Sequence, residues 1–237
     1  MTEGFRLSPY TCTFAGALLV GGVTVTVLLR RGNVPWRYIG YSMFLNVILI
    51  LYGSRMYSVV ASGFKVRLWD AGIASLGGVI GLLAGVIIFG CIYDEGKALM
   101  WESYILAMPL MYGIAKVGCY LVGCCHGIEY SGPLAVTYDS EYMQGGPYFP
   151  VQLLESIVFI IVFLIGVGVY RSNGRKYTGA VVMLLCAIAK FAQEFLREEH
   201  VGKSISGSQW ICIGFFLWSI VLFYKSGNKN VQIQKQK

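Results

Sequence analysis

The strongest constraint on the fold is a series of long apolar segments that are almost free of charge. Seven stretches reach or approach the roughly 20 apolar residues that a helix needs to cross a bilayer. Only 13% of the 237 residues are charged, whereas a soluble domain has about a quarter. The sequence therefore predicts an all-α integral membrane protein of about seven transmembrane helices, in a single polytopic domain over residues 1–237. The predicted spans are Thr11–Leu29, Tyr38–Tyr57, Ala71–Tyr93, Tyr104–Cys125, Pro150–Tyr170, Tyr177–Leu196 and Gln209–Tyr224.

The distribution of basic residues between these spans predicts their orientation, because cytoplasmic loops carry an excess of Lys and Arg. With the N-terminus outside, eleven of these residues face the cytoplasm and six, Arg6 among them, face outward. This N-out/C-in topology makes residues 127–149 an external loop or flap and residues 226–237 a cytoplasmic basic tail. Membrane topology thus explains the net charge of +7, and nucleic acid is not expected as a partner. No cleavable signal peptide is expected either.

Glycine is concentrated in the third predicted span. The stretch GGVIGLLAG, from Gly77 to Gly85, places small residues along the helix. Small residues let the backbones of two membrane helices approach closely. The sequence therefore predicts that another helix packs tightly against this span.

Four ionisable residues lie inside the predicted spans, namely Lys116, Glu155, Lys190 and Glu194. A charge in the bilayer is costly unless it faces a polar interior, so such residues indicate a functional site. The alternative interpretation is a structural ion pair, or side chains that reach the interface from the end of a span.

Helical spacing sorts these residues and their polar neighbours into three stripes, each on one face of its helix. Stripes on consecutive helices are predicted to converge on a polar intramembrane cavity. Two lysines and a flanking arginine around such a cavity suit an anionic ligand, and in a membrane that ligand is most often a phospholipid head group. The stripes are Lys116, Cys119, Gly123 and His126; Gln152 and Glu155; and Lys190, Glu194 and Arg197.

The segment KVGCYLVGCCHG, residues Lys116–Gly127, combines three cysteines with a histidine. Adjacent cysteines on a single helix do not all point to one tetrahedral centre, so no metal ion and no other cofactor is predicted. A catalytic thiol is a second interpretation, because a nearby cation and imidazole lower the pKa of a cysteine. Packing of cysteine as a small apolar residue is the third, and it is expected for Cys12, Cys91, Cys186 and Cys212.

Four ordered segments resemble the prolipoprotein diacylglyceryl transferase family. They are LWDAGIASLGGVIG (Leu68–Gly81), YGIAKVGCYLVGCCHGIEY (Tyr112–Tyr130), YFPVQLLES (Tyr148–Ser156) and AKFAQEFLRE (Ala189–Glu198). Enzymes of that family are bacterial inner-membrane proteins with seven spans, N-out and C-in. They move the diacylglyceryl group of phosphatidylglycerol onto the lipobox cysteine of a preprolipoprotein.

The matches fall on the polar stripes. In the second segment, Lys116 stands at the essential arginine of the family signature, Gly118 at its glycine and Cys119 at its asparagine, while the signature glutamate is absent. In the third segment, Phe149 replaces a histidine and Leu154 replaces a tyrosine. The third and fourth segments keep the family pattern at Pro150, Gln152, Leu153 and Glu155, and at Phe191, Glu194 and Arg197, with Lys190 at an arginine position.

Two departures bear on the chemistry. A lysine at an arginine position keeps the charge but loses the bidentate fork. Leu76 stands where the family has a histidine, and His126 is the nearby candidate to take over proton transfer. His200, past the sixth span, is a weaker alternative.

The resemblance implies a transferase in which a peptide thiolate displaces glycerol phosphate at the glyceryl carbon. Lys116, Lys190 and Arg197 are expected to stabilise the phosphate, and His126 or Glu155 to deprotonate the thiol. The implied partners are phosphatidylglycerol or a similar anionic phospholipid and a prolipoprotein signal peptide, at the bacterial plasma (inner) membrane. Residues expected to bind substrate are Gly77, Gly78, Gly118, Cys119, Gln152, Glu194 and Arg197.

Two alternatives to this function remain open. One is a different lipid-modifying transferase on the same scaffold, working through a thioester on Cys125. The other is a lipid-binding or transport-like membrane protein whose polar cavity binds a phospholipid without reacting.

Overall fold

The computed structural model describes residues 8–140, 143–172 and 175–235, with side chains up to residue 227. Arg6 and Lys237, which enter the predicted topology, lie outside these ranges. Within them, seven helices are long and apolar enough to cross a membrane, so the predicted multi-pass membrane protein is confirmed. The helices are α1 Pro9–Arg31, α2 Trp36–Ala61, α3 Ser75–Ile92, α4 Lys97–Val122, α5 Val151–Arg171, α6 Thr178–Glu194 and α7 Gly207–Lys235.

Two helix boundaries differ from the prediction in ways that matter. Helix α4 starts at Lys97 and ends at Val122, so its C-terminus comes before the cysteine pair that the prediction placed inside it. Gly123, with a φ of 76°, ends the helix in the left-handed region that favours glycine. Helix α7 continues to Lys235 and so includes most of the predicted basic tail.

One compact unit covers Val20–Met108. Helices α2 and α3 pack there through glycines, as the glycine-rich third span predicted. A Cβ atom on Gly77 would collide with the carbonyl oxygen of Gly53, and one on Gly81 would collide with that of Leu49. The two backbones are therefore in close contact, and substitution of these glycines would force the helices apart.

The second compact unit comprises the described parts of Met1–Leu19 and Pro109–Lys237. It holds helices α5 to α7, the C-terminal part of α4 and an antiparallel hairpin of β1 (Val136–Asp139) and β2 (Gln144–Tyr148). The hairpin lies within the segment predicted as a loop or flap. The start of this segment is tied to the chain after α6, because the Ile128 amide donates to the Leu196 carbonyl at 3.0 Å. Short 3₁₀ helices at Arg175–Tyr177 and Glu198–His200 complete the unit.

Candidate functional site

The side chain of Glu155 is the centre of a buried charge cluster formed by three helices. Its Oε2 lies 2.8 Å from Lys116 Nζ on α4, and its Oε1 lies 2.6 Å from Lys190 Nζ on α6. Glu155 is 0% exposed and Lys116 is 1% exposed. The structure thus brings together the charged residues that the sequence placed on separate stripes.

The cluster extends along α6 towards the segment that follows it. Glu194 Oε2 lies 3.0 Å from Lys190 Nζ and 3.8 Å from Arg197 Nη1. The Ser206 hydroxyl donates to Glu194 Oε1 at 3.2 Å. Three cationic and two anionic side chains therefore share one buried region, which leaves one positive charge in excess.

Tyr112 belongs to the cluster, although the sequence analysis did not identify it. Its hydroxyl donates to Glu155 Oε1 at 3.4 Å, and Lys116 Nζ lies 5.2 Å from the centre of its ring. Tyr112 precedes Lys116 by four residues, so both side chains lie on the same face of α4. That spacing was the signal available in the sequence.

Arg197 carries a hydrogen-bond donor that no described residue accepts. The residue is 7% exposed, and its Nε lacks a partner within the described ranges. Burial by itself lowers the pKa of Arg197, but the Cys125 thiolate and the Glu155 carboxylate outweigh it, so the pKa is raised and the guanidinium stays charged. A buried cation with an unused N–H is suited to an anionic oxygen.

The segment after α4 turns sharply, which contradicts one prediction. Gly123 and Cys125 have φ angles of 76° and 56°, so Gly123 and His126 do not continue the helical face of Lys116 and Cys119. Left-handed conformations are uncommon outside glycine and cluster at functional sites. The turn is held by two hydrogen bonds, from Ser140 Oγ to the Val122 carbonyl at 2.6 Å and from Gln152 Nε2 to the Cys124 carbonyl at 2.9 Å.

This turn brings three thiols together. The sulfur atoms of Cys119, Cys124 and Cys125 all lie within 4.8 Å of one another, and none of these residues forms a disulfide bond. The sequence argument against convergence assumed a single continuous helix, and that assumption was wrong. A glycine directly after the apolar run was the signal for a helix end.

The three thiols are electrostatically unequal. Hydrogen bonds with Cys119 and Cys124 lower the pKa of Cys125 well below its ordinary value, with Lys116 and Arg197 acting in the same direction and burial opposing them. Hydrogen bonds with Cys119 and then Cys125 raise the pKa of Cys124, and burial adds to this effect. Cys125 is therefore the thiolate-forming member of the group.

His126 follows the thiols and is oriented by a carboxylate. Its Nδ1 lies 3.1 Å from Glu198 Oε2 and 3.3 Å from the Gly127 carbonyl oxygen, and its ring stacks on Tyr148 at 4.8 Å. Two acceptors at Nδ1 assign the proton of the neutral ring to that atom. Nε2 then carries the free lone pair of the ring and can accept a proton. His200, the other histidine, is buried and packs edge-on against Phe195.

The remaining predicted substrate-binding residues contact other parts of the protein. Gln152 is fully buried, and its Oε1 accepts a hydrogen bond from the Tyr138 hydroxyl at 3.1 Å while its Nε2 holds the turn. Burial raises the pKa of Tyr138, so this hydroxyl remains a donor at alkaline pH. Gly118 packs against Thr13 and Tyr10 of α1, where a Cβ would collide with the Thr13 hydroxyl.

The residues of the first resembling segment lie in the other compact unit. Gly77 and Gly78 contact α2 at Gly53 and Ser54, and Leu76 lies in the first turn of α3. Their predicted roles with substrate stay predictions.

Comparison with known proteins shows which family the sequence matches. The sequence model of the prolipoprotein diacylglyceryl transferase family matches residues 1–225. The chain is 27% identical to phosphatidylglycerol–prolipoprotein diacylglyceryl transferase 2 of Clostridium perfringens, over 93% of the chain and 92% of the relative. It is 28% identical to the transferase of that name from Tolumonas auensis, over 94% of the chain and 92% of the relative. The similarly named protein of Chloroherpeton thalassium is 25% identical, over 98% of the chain and 94% of the relative.

Proposed function

Because the chain belongs to the prolipoprotein diacylglyceryl transferase family, we propose that it transfers the diacylglyceryl group of phosphatidylglycerol to the cysteine thiol of a prolipoprotein. The chain spans more than nine-tenths of two relatives named for this reaction. The lipid, which diffuses in the membrane, and the signal peptide, which inserts into it, are the substrates. The protein's own residues must then bind a phosphate, expose a carbon to attack and remove a thiol proton.

The phosphate site rests on Arg197 Nε, whose N–H is accepted by no residue in the described part of the chain. A buried guanidinium N–H without a partner costs free energy until an acceptor reaches it. A phosphodiester oxygen supplies that acceptor, and its single negative charge balances the single positive charge in excess in the cluster. Lys116 adds to this site, since its ammonium has three N–H donors and, among the residues that the structure describes, forms an ion pair with Glu155 alone.

The reaction needs more stabilisation in the transition state than in the bound lipid. As the peptide thiolate attacks the glyceryl carbon, the carbon–oxygen bond breaks and negative charge grows on the departing phosphate. Arg197 and Lys116, held in place by Glu194 and Glu155, face that charge without reorganising. Glycerol phosphate leaves, and the diacylglyceryl group remains on sulfur as a thioether.

His126 is the base that best suits the thiol proton. Glu155 is a poor candidate, because each of its oxygen atoms already contacts a lysine ammonium. His126 instead has its Nδ1 engaged by Glu198, which keeps Nε2 available as an acceptor. An imidazole here supplies the function that is missing at Leu76, where the family has a histidine.

The test is transfer by the purified full-length protein in detergent micelles. Phosphatidylglycerol and a synthetic lipobox peptide are supplied, and the peptide mass is measured. We expect a diacylglyceryl adduct on the cysteine peptide and none on a matched serine peptide or with phosphatidylcholine as donor. Co-purified phospholipid without any adduct would replace this proposal with a non-catalytic lipid-binding protein.

The position in the cell follows from the same reaction. We propose a multi-pass protein of the bacterial plasma (inner) membrane, N-out and C-in, with residues 127–149 external and 226–237 cytoplasmic. The excess of basic residues in the segments assigned to the cytoplasm supports this orientation. A reporter inserted beside Gln144 is expected to be active outside and one fused after Lys237 inside. A cytoplasmic signal at Gln144 would reverse the orientation.

A further inference from the structure

The trithiol group, defined as Cys119, Cys124 and Cys125, has no role in the reaction as described. Its three sulfur atoms lie within 4.8 Å of one another. The turn that gathers them includes a left-handed cysteine and is braced by a fully buried glutamine. We propose that the trithiol group binds one zinc ion, and that the thiol of the incoming peptide occupies the fourth position on that ion.

The donor set favours this metal. Thiolate sulfur selects soft ions such as zinc, and a zinc site with three protein ligands and one open position is the arrangement of catalytic rather than structural zinc. With Zn–S bonds of about 2.3 Å, the sulfur atoms of a tetrahedral site lie ~3.8 Å apart. The present spacing of at most 4.8 Å exceeds that value by no more than ~1 Å.

The surroundings compensate the charge. Three thiolates and one divalent ion retain a single negative charge, and Lys116 lies three residues before Cys119 on the same face of α4.

The open position gives the ion a place in the proposed reaction, on which this inference rests. A thiol that coordinates zinc is deprotonated, and the thiolate is the nucleophile. The peptide thiol would bind the ion and release its proton to His126. Its sulfur then forms the bond to the glyceryl carbon as the carbon–oxygen bond breaks, and glycerol phosphate departs. The ion stays divalent, so no oxidant or reductant is needed.

The binding test uses the reduced full-length protein in detergent, titrated with cadmium chloride. Cadmium is a soft ion whose thiolate complexes absorb in the ultraviolet. We expect one cadmium per chain, and at least a tenfold loss of affinity in each of C119S, C124S and C125S. The control is C91S, which removes an exposed thiol elsewhere. Thermal unfolding of each variant shows whether it is folded. Stoichiometric binding that survives all three substitutions, or no binding by the reduced protein, would refute the zinc site.

The fourth position is tested without lipid and therefore without turnover. Adding the cysteine peptide to the cadmium protein is expected to increase the thiolate absorbance, whereas the matched serine peptide leaves it unchanged. An unchanged spectrum with the cysteine peptide would refute the role of the ion in peptide binding. If cadmium and the peptide thiol bind but no adduct forms from phosphatidylglycerol with the zinc-loaded protein, the proposed transfer fails while the metal site stands.

Discussion

Replacing Lys116 by methionine separates a catalytic cation from a structural ion pair. The substitution leaves Glu155 with one ammonium, that of Lys190 at 2.6 Å. A buried charge that loses every partner costs about 3–5 kcal/mol. Because one partner remains, we expect a loss of about 1–3 kcal/mol in the free energy of unfolding. The loss in kcat/KM should be larger, about 100- to 1000-fold, the size expected when a donor to a developing negative charge is removed.

The double variant K116M/E155Q distinguishes the two explanations. It removes the unpaired carboxylate together with the lysine, and Lys190 keeps Glu194 at 3.0 Å. The cluster then again has one positive charge in excess, as in the wild-type protein. We expect stability to recover to within about 1 kcal/mol, since no buried charge is left without a partner, while kcat/KM stays at least about 100-fold low.

Rates are measured as glycerol phosphate released from phosphatidylglycerol with the cysteine peptide, and stability as thermal unfolding in the same detergent. The single variant E155Q completes the double-mutant cycle. Lys203, a lysine outside the cluster that is exposed to solvent, serves as the matched control, and K203M should behave as wild type. Recovery of kcat/KM in K116M/E155Q to near the wild-type value would refute a direct role for Lys116 in catalysis.

Four further substitutions test the rest of the site. R197K keeps the charge but removes Nε, so the KM for phosphatidylglycerol should rise about tenfold; an unchanged KM contradicts the phosphate contact. H126Q should lower kcat about 100-fold near neutral pH, and E198Q less, because the carboxylate only orients the ring. The loss in kcat of H126Q should become smaller as the pH passes the ordinary cysteine pKa of about 8.5, since the peptide thiol then ionises without a base. A loss that does not change with pH would show that His126 is not the base. Q152A should lower the free energy of unfolding by about 1–3 kcal/mol through two lost buried hydrogen bonds, whereas Q144A, at an exposed position, should not.

Most of the charge cluster was predictable, because Lys116, Glu155, Lys190 and Glu194 lie on helices. Arg197 was predicted to continue the helical face of Lys190 and Glu194, but α6 ends at Glu194 and Arg197 has an extended backbone. Lys116 and Glu155 lie inside apolar runs, where an unpaired charge costs several kcal/mol of free energy. Their side chains are therefore expected to pair with each other. The turn after α4 was less accessible, because a glycine is a weak signal of a helix end: α3 contains several glycines and continues through them. Only the backbone angle at Gly123 ends the helix, and the contacts that stabilise that angle come from residues distant in sequence. The carboxylate that orients His126 is likewise brought in by a backbone pairing between segments far apart in the chain.

The geometry around Glu155 suits the two lysines that the sequence resemblance places at arginine positions. One carboxylate has two oxygen atoms, and here each accepts a different ammonium. Two guanidinium groups would compete for the same pair of oxygens if each bound in the bidentate manner. A compact ammonium needs one oxygen and keeps its other N–H groups for further acceptors. Lys190 uses a second donor on Glu194, so it mainly positions both carboxylates. Lys116 has no such second carboxylate among the described residues, so its other N–H groups are free for the phosphate contact that we propose for it and Arg197.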